Sequence, residues 1–364
     1  MQPRILIIGS TGKLGIKLLN FCKEKSIKID AITCNKNISL LNKQKTKYKI
    51  KNIFIFNNYK DTPSLNYYIE NNYLNIVYFL DHGSGSLNLL SHILKKQTNT
   101  IIAVANKEMI IAGNSVMLNK IRNTKNIFIP LDSEHFSLLN TKLDINNIDK
   151  IYITASGGPF YKNKSINLDN VTKDKVLSHP KWKMGYNNLI DSSNFINKIL
   201  EIFELSIIFN VKISKIDFLV SPEAYIHSII RYKDNITSLN CFNNNMLITL
   251  TKPLKSFFDF SLKINKSYLF NHQNFYFEKF NDKRFKILKY FNKLKKLDHS
   301  KQIKFMLLNN LAQKLYLNEK LNYNQIVNFI MKNLNINNND FKLRSFKDIS
   351  NYIIFLKNEF KIYE

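Results

Sequence analysis

Short apolar runs recur through the first 131 residues, and segments with helical spacing of apolar positions separate them. The run Arg4–Ile8 ends at Gly9, and Leu14–Glu24 then shows the period of an amphipathic helix. Further strand-like runs lie at Ile27–Thr33, Asn75–Leu80, Thr100–Ala105 and Asn126–Leu131. Apolar runs of this length between helices are typical of buried parallel strands. The pattern predicts an α/β fold built on a doubly wound parallel sheet.

Beyond residue 150 the alternation stops, which indicates a second region of mixed α+β character. The pattern predicts strands at Ile151–Thr154, near Asp217–Val220 and at Tyr225–Tyr232, a polar loop up to Asn188, and a helix over about Asn194–Phe209. Lys252–Phe280 is weakly periodic and is interpreted as a linker. The remainder carries amphipathic helices, among them Lys301–Lys320 and Tyr323–Leu334. We therefore expect a small helical C-terminal domain.

The formal net charge of +27 suggests nucleic acid at first, but the kind of basic residue argues against it. Only five of the 54 basic residues are arginines, namely Arg4, Arg122, Arg231, Arg284 and Arg344. Arginine forks read phosphates and base edges, and lysine does not replace them. The lysines are scattered among Asn, Ile, Tyr and Phe, which favours compositional bias on solvated faces. We expect no nucleic-acid partner.

Three further features bear on location and on metal chemistry. No apolar run approaches the roughly 20 residues that span a bilayer, and Ile5–Ile8 is too short for the core of a signal peptide. The cysteines, Cys22, Cys34 and Cys241, are far apart without a CxxC pair, so neither a disulfide framework nor a zinc knuckle is indicated. We expect a cytoplasmic protein without a membrane partner.

A glycine-rich segment, Gly9–Gly15, joins the first predicted strand to the first predicted helix. Such a loop lets the backbone approach a pyrophosphate at a helix N-terminus, although a simple tight turn has the same composition. An NAD site usually places an acid about 20 residues further on. Here Thr33–Asn37 contains Lys36 and no carboxylate, which favours NADP through pairing of this lysine with a 2′-phosphate.

Two pairs of charged residues follow the later strands of the predicted sheet. If the strand continues through Asp132 and Glu134, residues two apart point to one side and can share a cation. Carboxylates suit Mg²⁺ or Mn²⁺, while an acid pair at a strand end is also common without a metal. Lys107 can contact a substrate oxygen with Glu108 orienting it, or the two can form a plain surface pair.

A second group of polar residues surrounds the predicted helix near residue 200. Asp191–Asn194 is interpreted as the cap of that helix, on which Asn197, Lys198 and Glu201 share one face. Ser192, Asn197 and Lys198 suit a phosphate, and Glu201 suits a metal.

Two loops complete the candidate chemistry. Thr154–Pro159 offers a hydroxyl and successive backbone amides, which is a plausible anion nest. His179–Gly185 contains the only tryptophan of the chain and is a candidate lid, or else an ordinary surface loop.

Taken together, these segments resemble the 1-deoxy-D-xylulose 5-phosphate reductoisomerase family. The resemblance covers most of residues 1–232 in family order and spacing, and beyond residue 252 only the linker and helical domain correspond. The motifs that carry it are GSTGKLG (9–15), ANKE (105–108), LDSEH (131–135), SGGPF (156–160), HPKWKMG (179–185), DSSNFINKILE (191–201) and SPEAYIHSIIRY (221–232).

The resemblance implies NADPH-dependent rearrangement and reduction of 1-deoxy-D-xylulose 5-phosphate to 2-C-methyl-D-erythritol 4-phosphate, in the non-mevalonate isoprenoid pathway. It implies a homodimer that uses Mn²⁺ or Mg²⁺, and occasionally Co²⁺. The implied domains are a Rossmann-like NADPH-binding domain (1–131), a catalytic and connective domain (132–255), a linker (256–280) and a helical domain (281–364).

The family's functional residues fall on matching positions of this chain. The implied metal ligands are Asp132, Glu134 and Glu201, which with Lys107 are the catalytic residues. Substrate contacts are implied for Lys107, Ser133, Glu134, Ser156, His179, Trp182, Ser192, Asn197, Lys198 and Glu201, with Met184 also in the flap. Nucleotide contacts are implied for Thr11, Gly12, Lys13, Leu14, Lys36, Asn37, Asn106, Glu108 and Gly185.

Four positions depart from the family pattern without removing a ligand. They are Asn35, Ala155 and Ile199 in place of glycines, and Asn187 in place of a lysine. Ile199 adds bulk near the site and is expected to lower the rate. Another two-domain NADP dehydrogenase would explain the glycine loop but not the three acids. A basic nucleic-acid-binding protein on a decayed reductase fold conflicts with those acids, because carboxylates repel a phosphate backbone.

Overall fold

The computed structural model of the chain describes residues 2–56, 63–179, 185–263, 274–335 and 341–362. These residues form two compact units. The N-terminal unit contains residues up to 136, together with the described parts of 245–265 and residues 344–350. The C-terminal unit contains the described residues of 137–244, 266–343 and 351–364.

The N-terminal unit is built on a six-stranded parallel sheet with the strand order β3-β2-β1-β4-β5-β6. Its strands are β1 (Ile5–Ile8), β2 (Ala31–Cys34), β3 (Asn52–Ile55), β4 (Ile76–Phe79), β5 (Ile101–Val104) and β6 (Ile127–Pro130). Its helices up to residue 136 are α1 (Lys13–Glu24), α2 (Ile38–Lys47), α3 (Pro63–Asn71), α4 (Ser86–Lys96), α5 (Lys107–Asn123) and α6 (Ser133–Phe136). The prediction of a doubly wound sheet is confirmed.

The central strands form the core because both of their faces are covered. All residues of β1 and β4 are fully buried, and their apolar runs carry no alternating polar positions. The edge strand β3 is half-buried to exposed, and it was not predicted. The strand predicted at Ile27–Thr33 begins four residues later in the structure, at Ala31.

The C-terminal unit holds a four-stranded mixed sheet with the order β10-β9-β7-β8. Only β7 and β8 are parallel to each other, and the two remaining pairs are antiparallel. The strands are β7 (Ile148–Ala155), β8 (Ile216–Val220), β9 (Ile226–Tyr232) and β10 (Thr237–Cys241). The edge strand β10 was not predicted, because its sequence is mostly polar and its residues are exposed or half-buried.

The region between residues 173 and 209 differs from the prediction in its first half. The polar loop expected up to Asn188 contains one short helix and the start of a second, which ends at Asn194. The helix expected over about Asn194–Phe209 is confirmed and begins at Ile196. Phe195 separates the two helices in the left-handed conformation, with φ of 67°, and its ring lies 4.6 Å from that of Phe280. The helices are α7 (Lys173–Val176), α8 (Tyr186–Asn194) and α9 (Ile196–Phe209). Packing of the Phe195 ring therefore accompanies the break.

The described residues also form the α-helices α10 (Leu247–Thr251), α11 (Phe291–Leu294), α12 (His299–Leu317), α13 (Tyr323–Leu334) and α14 (Phe346–Glu359). The predicted bounds of α13 are confirmed, and a capping box between Asn322 and Gln325 accounts for its start. Residues 264–273 of the predicted linker lie outside the described residues. Within the part of the chain that is described, no helix is long and apolar enough to cross a membrane.

Candidate active site

The glycine loop after β1 has the geometry of an anion cradle. Gly9 has a φ of +84°, and a Cβ on Gly15 would lie 2.5 Å from the carbonyl oxygen of Ser10. Helix α1 starts at Lys13 with Gly12 as its N-cap, and a glycine has no side chain that could cap the amides of the first turn. Ser10 fixes the loop through Gln44, with 2.7 Å between Oγ and Oε1. The loop therefore offers backbone amides to an anion.

The side chains expected to line the nucleotide begin around this loop. Gly12 and Lys13 are exposed, while Thr11 and Leu14 are half-buried. At the end of β2, Lys36 is exposed. Asn37 is the N-cap of α2, since its Oδ1 accepts from the Leu40 amide at 3.0 Å. This bond anchors Asn37 at the start of α2.

The end of β5 leads into α5, whose N-cap is Asn106. Its Oδ1 accepts from the Met109 amide at 2.9 Å, and its Nδ2 donates to the Gly83 carbonyl at 2.9 Å. Glu108 pairs with His82, with 3.0 Å between Oε1 and Nε2. Lys107 pairs with Asp132 at 2.8 Å, and an orienting role of Glu108 toward Lys107 stays a prediction.

Asp132 and Glu134 follow β6, but not on an extended strand as predicted. Ser133–Phe136 forms the helical turn α6, and Asp132 Oδ1 accepts from the Glu134 amide at 3.1 Å. This turn brings the acids together by a different route, since their ligand oxygens lie within 4.8 Å of each other. The fully buried His135 also faces Asp132, with 3.5 Å between Nδ1 and Oδ1.

In the C-terminal unit, Glu201 is buried on α9 with 2% of its surface exposed. Asn197 Nδ2 donates to its Oε1, and Lys198 forms an ion pair with its Oε2. Lys198 Nζ also donates to the Thr154 carbonyl at 2.7 Å, at the end of β7. The predicted grouping of the three residues on one helix face is confirmed.

The loop after β7 brings a histidine to a serine. Ser156 Oγ lies 3.2 Å from His179 Nε2. Burial, followed by the charge of Lys198, lowers the pKa of His179 to about 4. The imidazole is therefore neutral near neutral pH.

The prediction that Asp191–Asn194 caps the helix that carries Glu201 holds for Asn194, whose Oδ1 accepts from the Ile196 amide at 2.9 Å, and is wrong for Ser192. Ser192 lies within α8, where its carbonyl oxygen is 2.8 Å from the position of a Cβ on Gly158. The neighbouring Asp191 is buried, and it accepts hydrogen bonds from the side chains of Asn309 and Gln313 on α12. This cluster fixes α8, and with it Ser192.

The predicted lid is only partly described. Trp182 and Met184 lie outside the described residues. Gly185 is exposed as the N-cap of α8, and among the described residues no atom outside its chain neighbours lies within 4 Å of the position of a Cβ there.

Comparison with known proteins assigns the chain to a family. Residues 5–83 match the family model described as 1-deoxy-D-xylulose 5-phosphate reductoisomerase. Residues 128–209 match the model described as the C-terminal domain of the same enzyme. A reductoisomerase of this name from Pelagibacter ubique is 32% identical over 352 residues, covering 91% of this chain and 90% of the relative. The chain belongs to the 1-deoxy-D-xylulose 5-phosphate reductoisomerase family. A Clostridium tetani relative is 31% identical, with coverage of 90% and 91%.

Solved reductoisomerase structures share the fold. One, a complex with NADPH, fosmidomycin and magnesium, has a TM-score of 0.86 at 20% identity and covers 99% of this chain and 98% of its own. The reductoisomerase from Zymomonas mobilis in complex with NADPH has a TM-score of 0.81 at 20% identity, with the same coverage. The predicted resemblance to the reductoisomerase family and the predicted fold class are thereby confirmed.

Sequence reasoning missed several polar residues that lie close to the predicted reductoisomerase site residues. Asp81 and His82 follow β4, and Asp81 accepts from Asn106 Nδ2 at 3.3 Å. The strand-end rule that pointed to Asp132 would have found Asp81 as well, because both acids follow a buried run. Asn309 and Gln313 carry no local signal, since their partner Asp191 lies more than 100 residues away.

Proposed function

We propose that the residues assembled above carry out the family reaction in this chain. As a member of the family, the chain is an NADPH-dependent oxidoreductase that converts 1-deoxy-D-xylulose 5-phosphate to 2-C-methyl-D-erythritol 4-phosphate in isoprenoid biosynthesis. The identity to the Pelagibacter relative over 91% of the chain carries this conclusion. NADPH consumption on addition of the sugar phosphate tests it.

The divalent ion is proposed to bind Asp132, Glu134 and Glu201. The close approach of the Asp132 and Glu134 oxygens fits a hard cation, because Mg²⁺ and Mn²⁺ prefer carboxylate ligands. When bound, such an ion supplies a Lewis acid for the carbonyl and hydroxyl oxygens of the substrate. Mg²⁺ or Mn²⁺ is the proposed metal, with Co²⁺ as an occasional substitute.

Basic groups next to the acids are proposed to position the sugar phosphate. Lys107 lies 2.8 Å from Asp132, so its ammonium is fixed where it can also donate to a substrate oxygen. Lys198 holds Glu201 in place and, with Asn197, is proposed to contact the phosphate. Ser133, Ser156, Ser192 and the neutral His179 are proposed as further hydrogen-bonding groups, and Trp182 as part of the covering loop.

The cofactor is proposed to bind across the carboxyl edge of the six-stranded sheet. The glycine loop at the N-terminus of α1 supports placing its pyrophosphate there, because a helix N-terminus favours an anion. NADPH supplies the hydride, and the protein sets its position. The proposed contacts are Thr11, Gly12, Lys13, Leu14, Lys36, Asn37, Asn106, Glu108 and Gly185.

The proposal includes a homodimer and a cytoplasmic location. The edge strand β10 supports a partner subunit, because Leu239 on it is 53% exposed and an open strand edge offers unpaired backbone groups. The cytoplasmic location rests on the sequence pattern alone.

Ile199 is a core residue of α9 with 1% exposure, and the lowered rate expected from its bulk stays a prediction.

Replacing Lys36 by aspartate is expected to weaken NADPH binding while sparing NADH. The exposed ammonium is placed to pair with the 2′-phosphate, and an aspartate reverses that charge. We expect kcat/KM for NADPH to fall by about tenfold to a hundredfold, since a charge-assisted contact contributes roughly 1.5 to 3 kcal/mol. Steady-state kinetics with both cofactors measure the effect.

The matched control for this experiment is Lys43→Asp on α2, which makes the same charge reversal at another exposed lysine. It is expected to leave the cofactor preference unchanged. Equal losses with NADPH and NADH in the Lys36 variant would remove this lysine from the 2′-phosphate site.

A further inference from the structure

Asp81 is an acid at the carboxyl edge of the six-stranded sheet to which no role has been given above. It follows β4 after one intervening residue and is half-buried. The strand order reverses between β1 and its neighbour β4, with β2 and β3 on one side and β5 and β6 on the other. In doubly wound sheets the ligand crevice lies at this switch point. Asp81 therefore lies where a dinucleotide crosses the sheet.

The backbone of Asp81 packs against the glycine loop. A Cβ on Gly9 would lie 2.6 Å from the Asp81 amide nitrogen and 2.9 Å from the Asp81 Cβ. The same loop leads to the N-terminus of α1, whose N-cap is Gly12, and the N-terminus of a helix favours an anion. An acid is thus built directly beside an anion cradle.

The carboxylate is held in place by neutral donors. Ser86 Oγ donates to its Oδ2, and Asn106 Nδ2 donates to its Oδ1 at 3.3 Å. The titratable groups nearby are Glu108 on α5 and His82, which pair with each other at 3.0 Å. Among the described residues, no lysine, arginine or histidine forms an ion pair with Asp81. Its charge, when present, is therefore not neutralised within its own pocket.

We propose that Asp81 determines the affinity of this pocket for NADP(H), because its ionised carboxylate repels the anionic cofactor and its neutral form does not. The inference rests on the proposed function, which places the dinucleotide on the glycine loop. It makes Asp81 an affinity-determining residue that opposes binding rather than a ligand that supports it.

The protonation of Asp81 changes within an accessible pH range. Burial raises its pKa to about 6, the hydrogen bonds from Ser86 and Asn106 act in the opposite direction, and the charge of Glu108 raises it further. Above that pH the carboxylate is charged, so affinity falls as the pH rises through about 6. By linkage, a bound cofactor raises the pKa of Asp81 again.

Titration calorimetry with NADP⁺ from about pH 5 to about pH 8 tests the inference, since the oxidised cofactor is stable in acid. The variants are Asp81→Asn, which keeps an acceptor oxygen, and Asp81→Ala as a second neutral side chain. Asp30→Asn is the matched control, because burial also raises the pKa of Asp30, and it precedes β2 at the opposite edge of the sheet. His82→Gln tests whether the neighbouring imidazole contributes to the pH profile. The 2′-phosphate of NADP⁺ itself also titrates near pH 6. Its contribution is the same for the wild type and for every variant, so the comparison between proteins isolates the effect of Asp81.

At about pH 8 the Asp81→Asn protein is expected to bind NADP⁺ about tenfold more tightly than the wild type. A tenfold ratio is what results if the bound cofactor raises the pKa of Asp81 in the wild type by about one. The affinity of the Asp81→Asn protein for NADP⁺ is expected to vary less with pH than that of the wild type, and the affinity of Asp81→Ala to change in the same direction. The Asp30 and His82 variants are expected to keep the pH dependence of the wild type.

Weaker binding in both folded Asp81 variants, or an unchanged pH profile, would overturn the inference. A profile flattened by His82→Gln alone would do the same. A wild-type protein that binds no NADP⁺ at any pH would instead overturn the proposed function, and the inference with it.

Discussion

Replacing Glu201 by glutamine is expected to lower kcat by about a hundredfold to a thousandfold, the usual cost of removing one preorganised electrostatic group. The side chain is 2% exposed and is held by Asn197 and Lys198. A neutral glutamine removes one of the three proposed metal ligands and leaves the Lys198 ammonium without its buried partner. Turnover at saturating Mg²⁺ and the affinity for Mn²⁺ by calorimetry should both decline.

The control for Glu201→Gln is Asp149→Asn, which removes an exposed carboxylate of the same unit that pairs with Arg231. It is expected to keep wild-type turnover, and thermal unfolding shows whether both variants are folded. EDTA is expected to abolish turnover of the wild type, and added Mg²⁺ to restore it. Wild-type turnover and Mn²⁺ affinity in the Glu201 variant would contradict the metal assignment.

Replacing Lys107 by methionine is expected to lower kcat by about a hundredfold, while the chain stays folded. Lys107 opens α5, and its Nζ lies 2.8 Å from Asp132, next to the proposed metal. Methionine keeps the length of the side chain but removes the charge that stabilises negative charge on a substrate oxygen. Steady-state kinetics with the sugar phosphate measure the loss.

The same substitution at Lys120, an exposed lysine on the same helix, is the matched control and is expected to have no effect on kcat. A change in KM alone for Lys107→Met would show that this lysine contributes uniform binding rather than stabilisation of the transition state. That result would contradict its catalytic role.

The apolar pattern predicted the parallel sheet because β1, β4 and β5 are buried on both faces. The same rule missed β3 and β10, which lie at sheet edges where polar residues are tolerated. It also missed α8, which begins in the predicted polar loop and ends just before Phe195, a residue that is neither Gly nor Asn, the residues that usually adopt the left-handed conformation. Tertiary packing of aromatic rings decides the backbone there.

The site illustrates a different limit. The motifs singled out Asp132 and Glu134, whose oxygens lie within 4.8 Å of each other, but the assumed strand geometry was wrong. The aspartate begins a helical turn, a role for which aspartate is well suited and which Ser133-Glu134 continues. Asp191 shows the other limit, since its partners on α12 are far away in sequence and only the folded chain brings them together.

The central claim is that this chain reduces 1-deoxy-D-xylulose 5-phosphate with NADPH, and one assay of the purified protein tests it most directly. With Mg²⁺ present, NADPH should be consumed in equal amount to the sugar phosphate, and 2-C-methyl-D-erythritol 4-phosphate should form. EDTA should stop the reaction. A folded protein that binds NADPH but consumes none with this substrate and Mg²⁺ or Mn²⁺, or that consumes it without forming the branched product, would contradict the account.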